Sequence, residues 1–217
     1  MNTKLSSKEL RSIENFVKKK LKNADPAHDF DHVKNVVRLA SLIGKEEGAN
    51  FRILIPAAYF HDIVRKGKHH EKKSAELAEK FLRKIGFSEP EIRKIKEAII
   101  ESSWESFKKG INPKSLEGKV LRDADWLEAL GARGIARVFA FGGCLKRRIG
   151  KVKWNPENPV RLKSRFPDPS SIYHFFSKLL WLKNGIQTKL GKRLAKQRHE
   201  FMVRFLKRYK KEWEGKL

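Results

Sequence analysis

Apolar residues recur at spacings of three and four along most of the chain, with polar residues between them. This spacing is typical of amphipathic helices, and no strand-like alternation of useful length interrupts it. We therefore predict an all-α fold, a single helical domain spanning residues 1–217. Within it we expect core helices over 1–142, an irregular loop over 143–170, and C-terminal helices over 171–217 that pack on the core.

Local signals mark where several helices begin and end. N-terminal capping residues precede three of the predicted helices: Ser6, Asn50 and Ser88. In the third helix the apolar spacing turns His61 toward the core side. Glycine commonly ends a helix, so we predict that the second helix stops near Gly44 and the fourth near Gly86.

The second half of the chain alternates between helical and irregular patterns. A helix is predicted over 120–130, with Asp123 and Asp125 in its first half, and a short helix over 135–141. Residues 142–170 contain four prolines and no periodicity, which predicts a long loop of the kind that is usually functional or mobile. Helical spacing returns over 171–182 and 188–213.

Composition limits the class of protein. Hydrophobic residues make up 40% of the 217, which favours a globular chain with a sizeable core. The one cysteine excludes an intrachain disulfide. No apolar run has the length of a membrane helix, and the N-terminus lacks a signal-peptide core. We expect a soluble, intracellular protein of the cytoplasm, with no membrane partner.

The net charge of +25, from 50 Lys and Arg against 25 Asp and Glu, is far from balance. It favours an anionic partner, which could be a nucleotide, nucleic acid or an acidic surface. The alternative is the lysine-rich surface of a heat-adapted protein, but that surface would carry more glutamate than this chain has.

Histidines and aspartates in a particular order suggest a metal site. His61 and Asp62 form a doublet at the end of an apolar helix, His32 lies upstream, and Asp123 and Asp125 lie downstream. Each alone is more often a core histidine or a helix-terminal acid. Together, two imidazoles and two carboxylates can hold a divalent cation that keeps positions open for water and substrate oxygens. That chemistry suits phosphoester hydrolysis.

This order resembles the H…HD…D signature of the HD-domain superfamily of metal-dependent phosphohydrolases. Five further stretches are similar to its YedJ-like branch: 27–32, 70–75, 123–132, 174–180 and 198–202. The resemblance covers most of the chain. It implies one divalent ion, which could be Mn²⁺, Ni²⁺, Co²⁺, Fe²⁺ or Mg²⁺.

The resemblance also implies which residues hold the ion: His32, His61, Asp62 and Asp125. Asp125 stands in the Ala-Asp-x-Leu context that is usual for the last ligand of the superfamily. Asp123 remains its nearest rival. Catalytic roles fall to Asp62, His70 and Asp29, although Asp29 could equally be a helix cap.

Basic residues near these motifs are candidates for substrate binding. Those close to the doublet could clamp phosphate oxygens, and two from the C-terminal region could close the pocket. Each could instead belong to a solvated basic surface. The candidates are His28, Arg65, Lys66, Lys68, Lys178 and Arg198.

Three positions depart from the pattern of the relatives. Ser102 stands where a second-metal histidine is common, which favours a mononuclear site. Trp126 and Asn35 each replace a common arginine. The lost arginines affect the expected phosphate contacts, and therefore the substrate, more than the metal.

The resulting functional hypothesis is a metal-dependent phosphohydrolase. It would act on a nucleotide or related small phosphoester by metal-activated attack of water on phosphorus, and could release pyrophosphate from nucleoside triphosphates. The alternatives are an HD-type nuclease acting on DNA or RNA, and a non-catalytic, nucleotide-binding helical protein. Steep salt dependence of nucleic-acid binding would favour the nuclease. Saturable nucleotide binding without turnover would favour the binding protein.

Overall fold

The computed structural model describes residues 4–65, 67, 69–163 and 166–216. These residues form α-helices and one 3-10 helix, and the only β pairing among them is an isolated bridge between Arg148 and Ser170. The predicted all-α fold is confirmed. The helices are α1 (Ser7–Lys20), α2 (Phe30–Glu47), α3 (Phe51–Phe60), α4 (His70–Lys84), α5 (Glu89–Ser102), α6 (Trp104–Lys108), α7 (Leu116–Glu128), α8 (Gly131–Cys144), α9 (Ser171–Ser177), the 3-10 helix (Leu179–Gly185) and α10 (Lys189–Trp213).

The chain divides into two compact units. Unit 1 comprises Met1–Ala24, His28–Asp125 and Gln187–Gly191, and unit 2 comprises Asp25–Ala27, Trp126–Ile186 and Lys192–Leu217. The predicted three-part arrangement within one domain stays a prediction. None of the described helices has the length and apolar character that a membrane crossing requires.

The core of unit 1 is built around α3. Every residue of this helix from Ile53 to Phe60 is buried, as expected for a helix that is apolar on all faces. Phe60 packs with Phe16 and Phe81, whose ring centroids lie 5.9 and 5.7 Å from its own. Because α3 is held on all sides, the residues that directly follow it have a fixed position.

Predicted caps are confirmed at the starts of α1, α3 and α5. Ser6 and Ser88 form complete capping boxes with the glutamates three residues later, and the Asn50 side chain accepts from the Arg52 backbone N–H at 2.9 Å. The Gly86 prediction is confirmed too: α4 ends at Lys84, and Gly86 has a φ of +91°.

The predicted stop of the second helix near Gly44 is wrong. Helix α2 continues to Glu47 and is closed by Gly48, which has a φ of +80°. Gly44 is buried inside the helix, where a Cβ would lie 2.5 Å from Leu54 Cδ2. The glycine therefore permits α2 and α3 to approach closely, a requirement that chain pattern alone does not reveal.

Boundaries in the second half also differ from expectation. Helix α7 begins at Leu116, which puts Asp123 and Asp125 in its second half, and α8 is longer than the predicted 135–141. Gly134 does not interrupt α8, because its lack of a Cβ accommodates the Ala129 carbonyl, which would lie 2.2 Å away. The short helix α6 was not predicted, and the predicted 171–182 helix divides into α9 and the 3-10 helix.

In unit 2 the segment between α8 and α9 contains no helix in its described part and is tied to its neighbours. The backbone N–H groups of Ser171 and Ile172 donate to the carbonyls of Arg148 and Ile149, at 2.9 and 3.0 Å. Trp154 packs on Phe176, with ring centroids 5.2 Å apart. The segment is thus anchored on α9, and the functional or mobile character expected of this loop stays a prediction.

Candidate metal centre

Secondary structure positions each of the four predicted metal ligands. His32 lies in the first turn of α2, whose N-cap Asp29 accepts from the His32 backbone N–H at 3.0 Å. His61 is the C-cap of the buried helix α3, and Asp62 follows it directly. Asp125 lies in α7. All four belong to unit 1.

The four side chains converge. His32, His61 and Asp62 each offer a ligand atom, and these atoms lie within 4.8 Å of one another. Asp125 Oδ1 lies 3.7 Å from His32 Nε2 and 3.6 Å from His61 Nε2. Ligand atoms that share one ion, each about 2.0–2.2 Å from it, are typically about 3–4 Å apart. The spacing therefore suits a shared cation better than direct hydrogen bonds.

The environment of His61 tests whether a metal ion fits. Its Nδ1 lies 2.8 Å from the Ala58 carbonyl, to which it donates, so that Nε2 carries the lone pair in the neutral ring. This Nε2 is buried and has no hydrogen-bond partner among the described residues. A carbonyl that fixes the far nitrogen is the usual support of a metal-binding histidine. The site fits a divalent ion.

The charges of the cluster also favour a bound cation. Burial alone would lower the pKa of His61, but the nearby carboxylates of Asp62 and Asp125 outweigh it and raise that pKa. Burial opposes the charge of Asp125, yet His61 lowers the pKa of this carboxyl to about 2. The pKa of Asp62 is lowered as well, so both carboxylates are ionised at neutral pH. A bound cation would be stabilised by their negative charge.

The opening of the cluster is on its carboxylate side. The side chains of His32 and His61 are only 2% and 5% exposed, whereas those of Asp62 and Asp125 are 14% and 30% exposed. Two buried imidazoles thus form the floor, and a ligand can reach the centre past the aspartates. This suits a site that exchanges water or substrate oxygens rather than a closed structural site.

Asp123, the rival ligand, is committed elsewhere in unit 1. Its carboxylate accepts from the backbone N–H groups of Gln187 and Thr188, at 2.9 and 2.7 Å, and from the Thr188 hydroxyl at 2.6 Å. It therefore fixes the entry into α10. Asp125, two residues later, is the one that reaches the histidines.

The structure places three of the site residues predicted around the ligands, and their roles toward substrate stay predictions. Arg65 forms an ion pair with Asp62. Burial would raise the pKa of Asp62, but Arg65 and His61 hold it well below its usual range. The His28 ring lies 6.1 Å from that of His32. Asp29 has the helix-capping role described above, and its catalytic role stays a prediction.

His70 begins α4, and its Nδ1 lies 3.7 Å from Glu71 Oε2. Glu71 was missed by the sequence analysis although it is only 3% exposed. An acid in the first turn of a helix is common, so the chain pattern does not reveal that this one is buried. Lys66 and Lys68 lie outside the described residues.

Lys178 and Arg198 lie in unit 2. Arg198 donates to the Leu127 carbonyl, and its side chain lies against Gly131, where a Cβ would be 3.1 Å from Arg198 Cγ. Burial lowers the pKa of Arg198. Its contacts support the junction between α7 and α8, and the substrate-binding roles of both residues stay predictions.

The three departures from the family pattern have local partners or are buried. The Ser102 hydroxyl donates to the Ile99 carbonyl at 3.0 Å, within its own helix. The Asn35 side chain accepts from Arg38 at 3.0 Å, and Trp126 is buried. The mononuclear site inferred from Ser102 stays a prediction.

Comparisons with known proteins agree with this geometry. The HD domain family model matches residues 29–130, a range that includes all four proposed ligands. The Bacillus subtilis (strain 168) protein YpgQ is 31% identical over 212 residues, covering 96% of this chain and 95% of YpgQ. A crystal structure of YpgQ in complex with ADP aligns with a TM-score of 0.70 at 30% identity, over 94% of this chain and 95% of that one.

Two other solved structures are similar. One, from Lactobacillus plantarum, has a TM-score of 0.82 at 28% identity, over 98% of this chain and 100% of that one. The other, described as an HD-superfamily hydrolase from Bacillus thuringiensis, has a TM-score of 0.69 at 30% identity, over 95% and 97%. From the family-model match, the 30% identity with the HD-superfamily hydrolase from Bacillus thuringiensis over nearly its whole length and the His-Asp cluster, we conclude that the chain belongs to the HD-domain family and is a hydrolase.

Proposed function

We propose that the protein is a metal-dependent phosphohydrolase that acts on a nucleotide or a related small phosphoester. The observation that carries the proposal is the cluster of His32, His61 and Asp62, whose ligand atoms lie within 4.8 Å of one another, with Asp125 Oδ1 3.6 Å from His61 Nε2. This Nε2 is buried and has no hydrogen-bond partner among the described residues. When bound there, a divalent ion supplies Lewis-acid activation of water and of a phosphoryl oxygen.

The residues of the chain contribute orientation and charge. The Ala58 carbonyl holds the His61 ring in the tautomer that presents Nε2, and the Asp29 cap fixes the start of α2 and hence His32. Asp62 and Asp125 supply negative charge at the exposed side of the cluster. Arg65, paired with Asp62, is positioned to neutralise charge that develops on a phosphoryl group near that carboxylate.

A nucleotide is the favoured substrate class for two reasons. The related YpgQ has been crystallised with ADP. The net charge of +25 also favours an anionic ligand. Neither the ADP complex of YpgQ nor the net charge identifies the bond that is cleaved. Product analysis must therefore distinguish release of phosphate, pyrophosphate and triphosphate.

The test is turnover of a nucleotide panel by metal-stripped protein resupplied with Mn²⁺, Mg²⁺, Ni²⁺, Co²⁺ or Fe²⁺, with chromatographic separation of the products. We expect metal-dependent cleavage that falls at least about a hundredfold in Asp125→Asn and His61→Ala. Asp31→Asn is a matched control, because Asp31 is an exposed aspartate next to His32. Equal rates in Asp125→Asn and Asp31→Asn would refute the assignment.

Oligonucleotides and non-nucleotide phosphoesters belong in the same panel. Cleavage confined to DNA or RNA would replace the small-molecule proposal with a nuclease. Saturable nucleotide binding without turnover under any of the metals would replace it with a binding protein.

A further inference from the structure

A second group of polar side chains lies in unit 2 and contains none of the four proposed metal ligands. It consists of Arg147, His174 and Lys178, together called the cationic cluster below. The bridge between Arg148 and Ser170, continued by the bonds from Ser171 and Ile172, sets the Arg147 segment beside the start of α9. His174 and Lys178 follow one turn apart on that helix and its C-cap.

Close approach of the two segments depends on Gly142. A Cβ at this position would lie 2.2 Å from Ser171 Oγ and 3.9 Å from Arg147 Cβ. The Arg147 backbone N–H donates to the Gly142 carbonyl at 2.8 Å, which turns the chain back immediately after α8. The arrangement of Arg147 beside α9 is therefore built by the backbone and does not depend on side-chain flexibility.

Arg147 carries donors that nothing described in the chain satisfies. Its Nε and Nη1 atoms are buried and make no hydrogen bond to any described residue. Its guanidinium carbon lies 5.9 Å from the centre of the Phe141 ring, a contact that leaves the N–H groups without an acceptor. A buried charged donor without a partner destabilises the folded chain, so such groups normally have an acceptor.

His174 is oriented by a buried acid. Its Nδ1 lies 2.6 Å from Asp168 Oδ2, which also accepts from the Ser177 hydroxyl at 3.0 Å. Asp168 is 3% exposed, whereas the His174 side chain is 24% exposed. The carboxylate fixes the proton on Nδ1 and the orientation of the ring, so that Nε2 is the nitrogen available to a ligand.

The charges of the cluster act on one another. Burial lowers the pKa of His174, and repulsion by Lys178 and Arg147 lowers it further, although Asp168 opposes the shift. An anion bound among the three groups would relieve that repulsion and favour a protonated, donating Nε2.

From this arrangement we infer that the cationic cluster binds a phosphate group through Arg147, His174 and Lys178. The planar fork of a guanidinium matches two oxygens of a phosphate, and an ammonium and an imidazole add single donors. The phosphate has two possible sources, the nucleotide substrate or a separate phosphate ion. The substrate source rests on the proposed function, whereas phosphate binding itself does not.

Binding is tested with inorganic phosphate as the probe. Calorimetric titration is made on the full chain carrying His61→Ala, in the presence of a chelator, so that the metal centre contributes nothing. We expect Arg147→Met to weaken phosphate binding by at least about tenfold, equivalent to about 1.4 kcal/mol. Arg148→Met is the matched control, because Arg148 is the adjacent, exposed arginine and should leave the affinity unchanged.

Two further measurements keep the test decisive if Arg147→Met folds poorly. Arg147→Lys retains the charge and loses the fork, so it too should weaken binding while the thermal midpoint is maintained. Phosphate should also shift the imidazole NMR signals of His174, and not those of exposed His69. Absence of millimolar phosphate binding to the unsubstituted chain, or equal affinity in the Arg147 variants, would overturn the inference.

Kinetics on the metal-loaded protein distinguish the sources. If the phosphate belongs to the substrate, Arg147→Met raises KM about tenfold with little change in kcat, and inorganic phosphate competes with the substrate. If it is a separate ion, phosphate binding is lost while KM is unchanged. Failure of the proposed function would abolish turnover in the unsubstituted protein and leave the calorimetric result intact, so the two failures are distinguishable.

Discussion

The carboxylate of Asp123 accepts from both the backbone N–H and the hydroxyl of Thr188, whereas Asp125, two residues further along, faces His32 and His61. Two acids of α7 that are almost adjacent in sequence therefore have separate tasks. One fixes the start of α10 within unit 1, and the other is the proposed fourth metal ligand.

Substitution should separate these tasks. Asp123→Ala leaves three buried donors without their acceptor, and we expect it to lower the free energy of unfolding by about 3 kcal/mol. Metal affinity at a temperature where the variant is folded should be nearly unchanged. Asp125→Ala should instead weaken metal binding, because it removes a proposed ligand. Its unfolding free energy without metal should not fall, because one carboxylate charge is removed from the cluster. Denaturant unfolding with metal titration tests both, and a loss of metal affinity in Asp123→Ala would contradict the assignment.

Metal removal should change stability in a predictable way. An ion that binds only the folded chain stabilises it by about 2.7 kcal/mol when its concentration is a hundred times the dissociation constant. We therefore expect Mn²⁺ or another divalent ion to raise the thermal midpoint by several degrees and a chelator to reverse the effect. The increase should disappear in Asp62→Ala and persist in Asp31→Asn. An equal increase in Asp62→Ala would place the ion elsewhere.

Arg122 should prove to be a structural residue. It is fully buried, and its guanidinium donates to Asn112 Oδ1 and to the carbonyls of Glu101 and Ile111, at 2.6, 2.6 and 2.8 Å. Burial lowers the pKa of Arg122 to about 10, so it remains charged at neutral pH. Arg122→Met removes three donated hydrogen bonds from the interior, and we expect a loss of about 3 kcal/mol of unfolding free energy.

The control for this prediction is Arg38→Met. Arg38 is exposed and donates to Asn35 on the surface of α2, so its replacement should change stability by less than about 0.5 kcal/mol. Equal destabilisation by the two substitutions, measured by denaturant unfolding, would show that the buried bonds of Arg122 contribute little.

His199 should make stability depend on acid pH. Burial and the nearby charge of Lys183 lower the pKa of this buried histidine from 6.5 to about 4. Below pH 6.5 the unfolded chain takes up a proton that the folded chain does not, so stability falls as pH drops from 6.5 through 4. The contribution at stake is about 3 kcal/mol, at 1.36 kcal/mol for each pKa unit.

Thermal midpoints measured between pH 4 and 7 test this prediction. His199→Gln should flatten the profile in that window relative to the unsubstituted protein. His69→Gln is the matched control, since the side chain of His69 is 59% exposed, and it should leave the profile unchanged. A profile of unaltered slope in His199→Gln would assign the acid sensitivity to other groups.

The sequence predicted features that depend on short stretches of chain. The helix caps, the apolar character of α3 and the position of His61 at its end all follow from residues within a few positions of one another. The convergence of the four proposed ligands was anticipated from their order, which resembles a family signature. These are cases in which local preference and the final structure agree.

Features that depend on distant partners were missed. Gly44 looked like a helix stop because glycine often is one, and only the position of Leu54 explains it. Asp123 was a rival ligand because the chain pattern cannot reveal that residues 187 and 188 return to it. The orientation of His174 by Asp168 was likewise hidden, since the acid lies in a stretch without periodicity.

Residues 187–191 belong to unit 1 although the residues on either side of them belong to unit 2. This affects how the chain can be cut into fragments that fold. The family-model match ends at residue 130, so a fragment cut there would contain every proposed metal ligand and still lack the backbone donors that Asp123 requires. Unit 1, which contains the proposed metal ligands, is therefore not one continuous stretch of the chain. A fusion protein that contains only the stretch up to residue 130 would include the proposed metal ligands but not the backbone N–H groups of Gln187 and Thr188 that donate to Asp123.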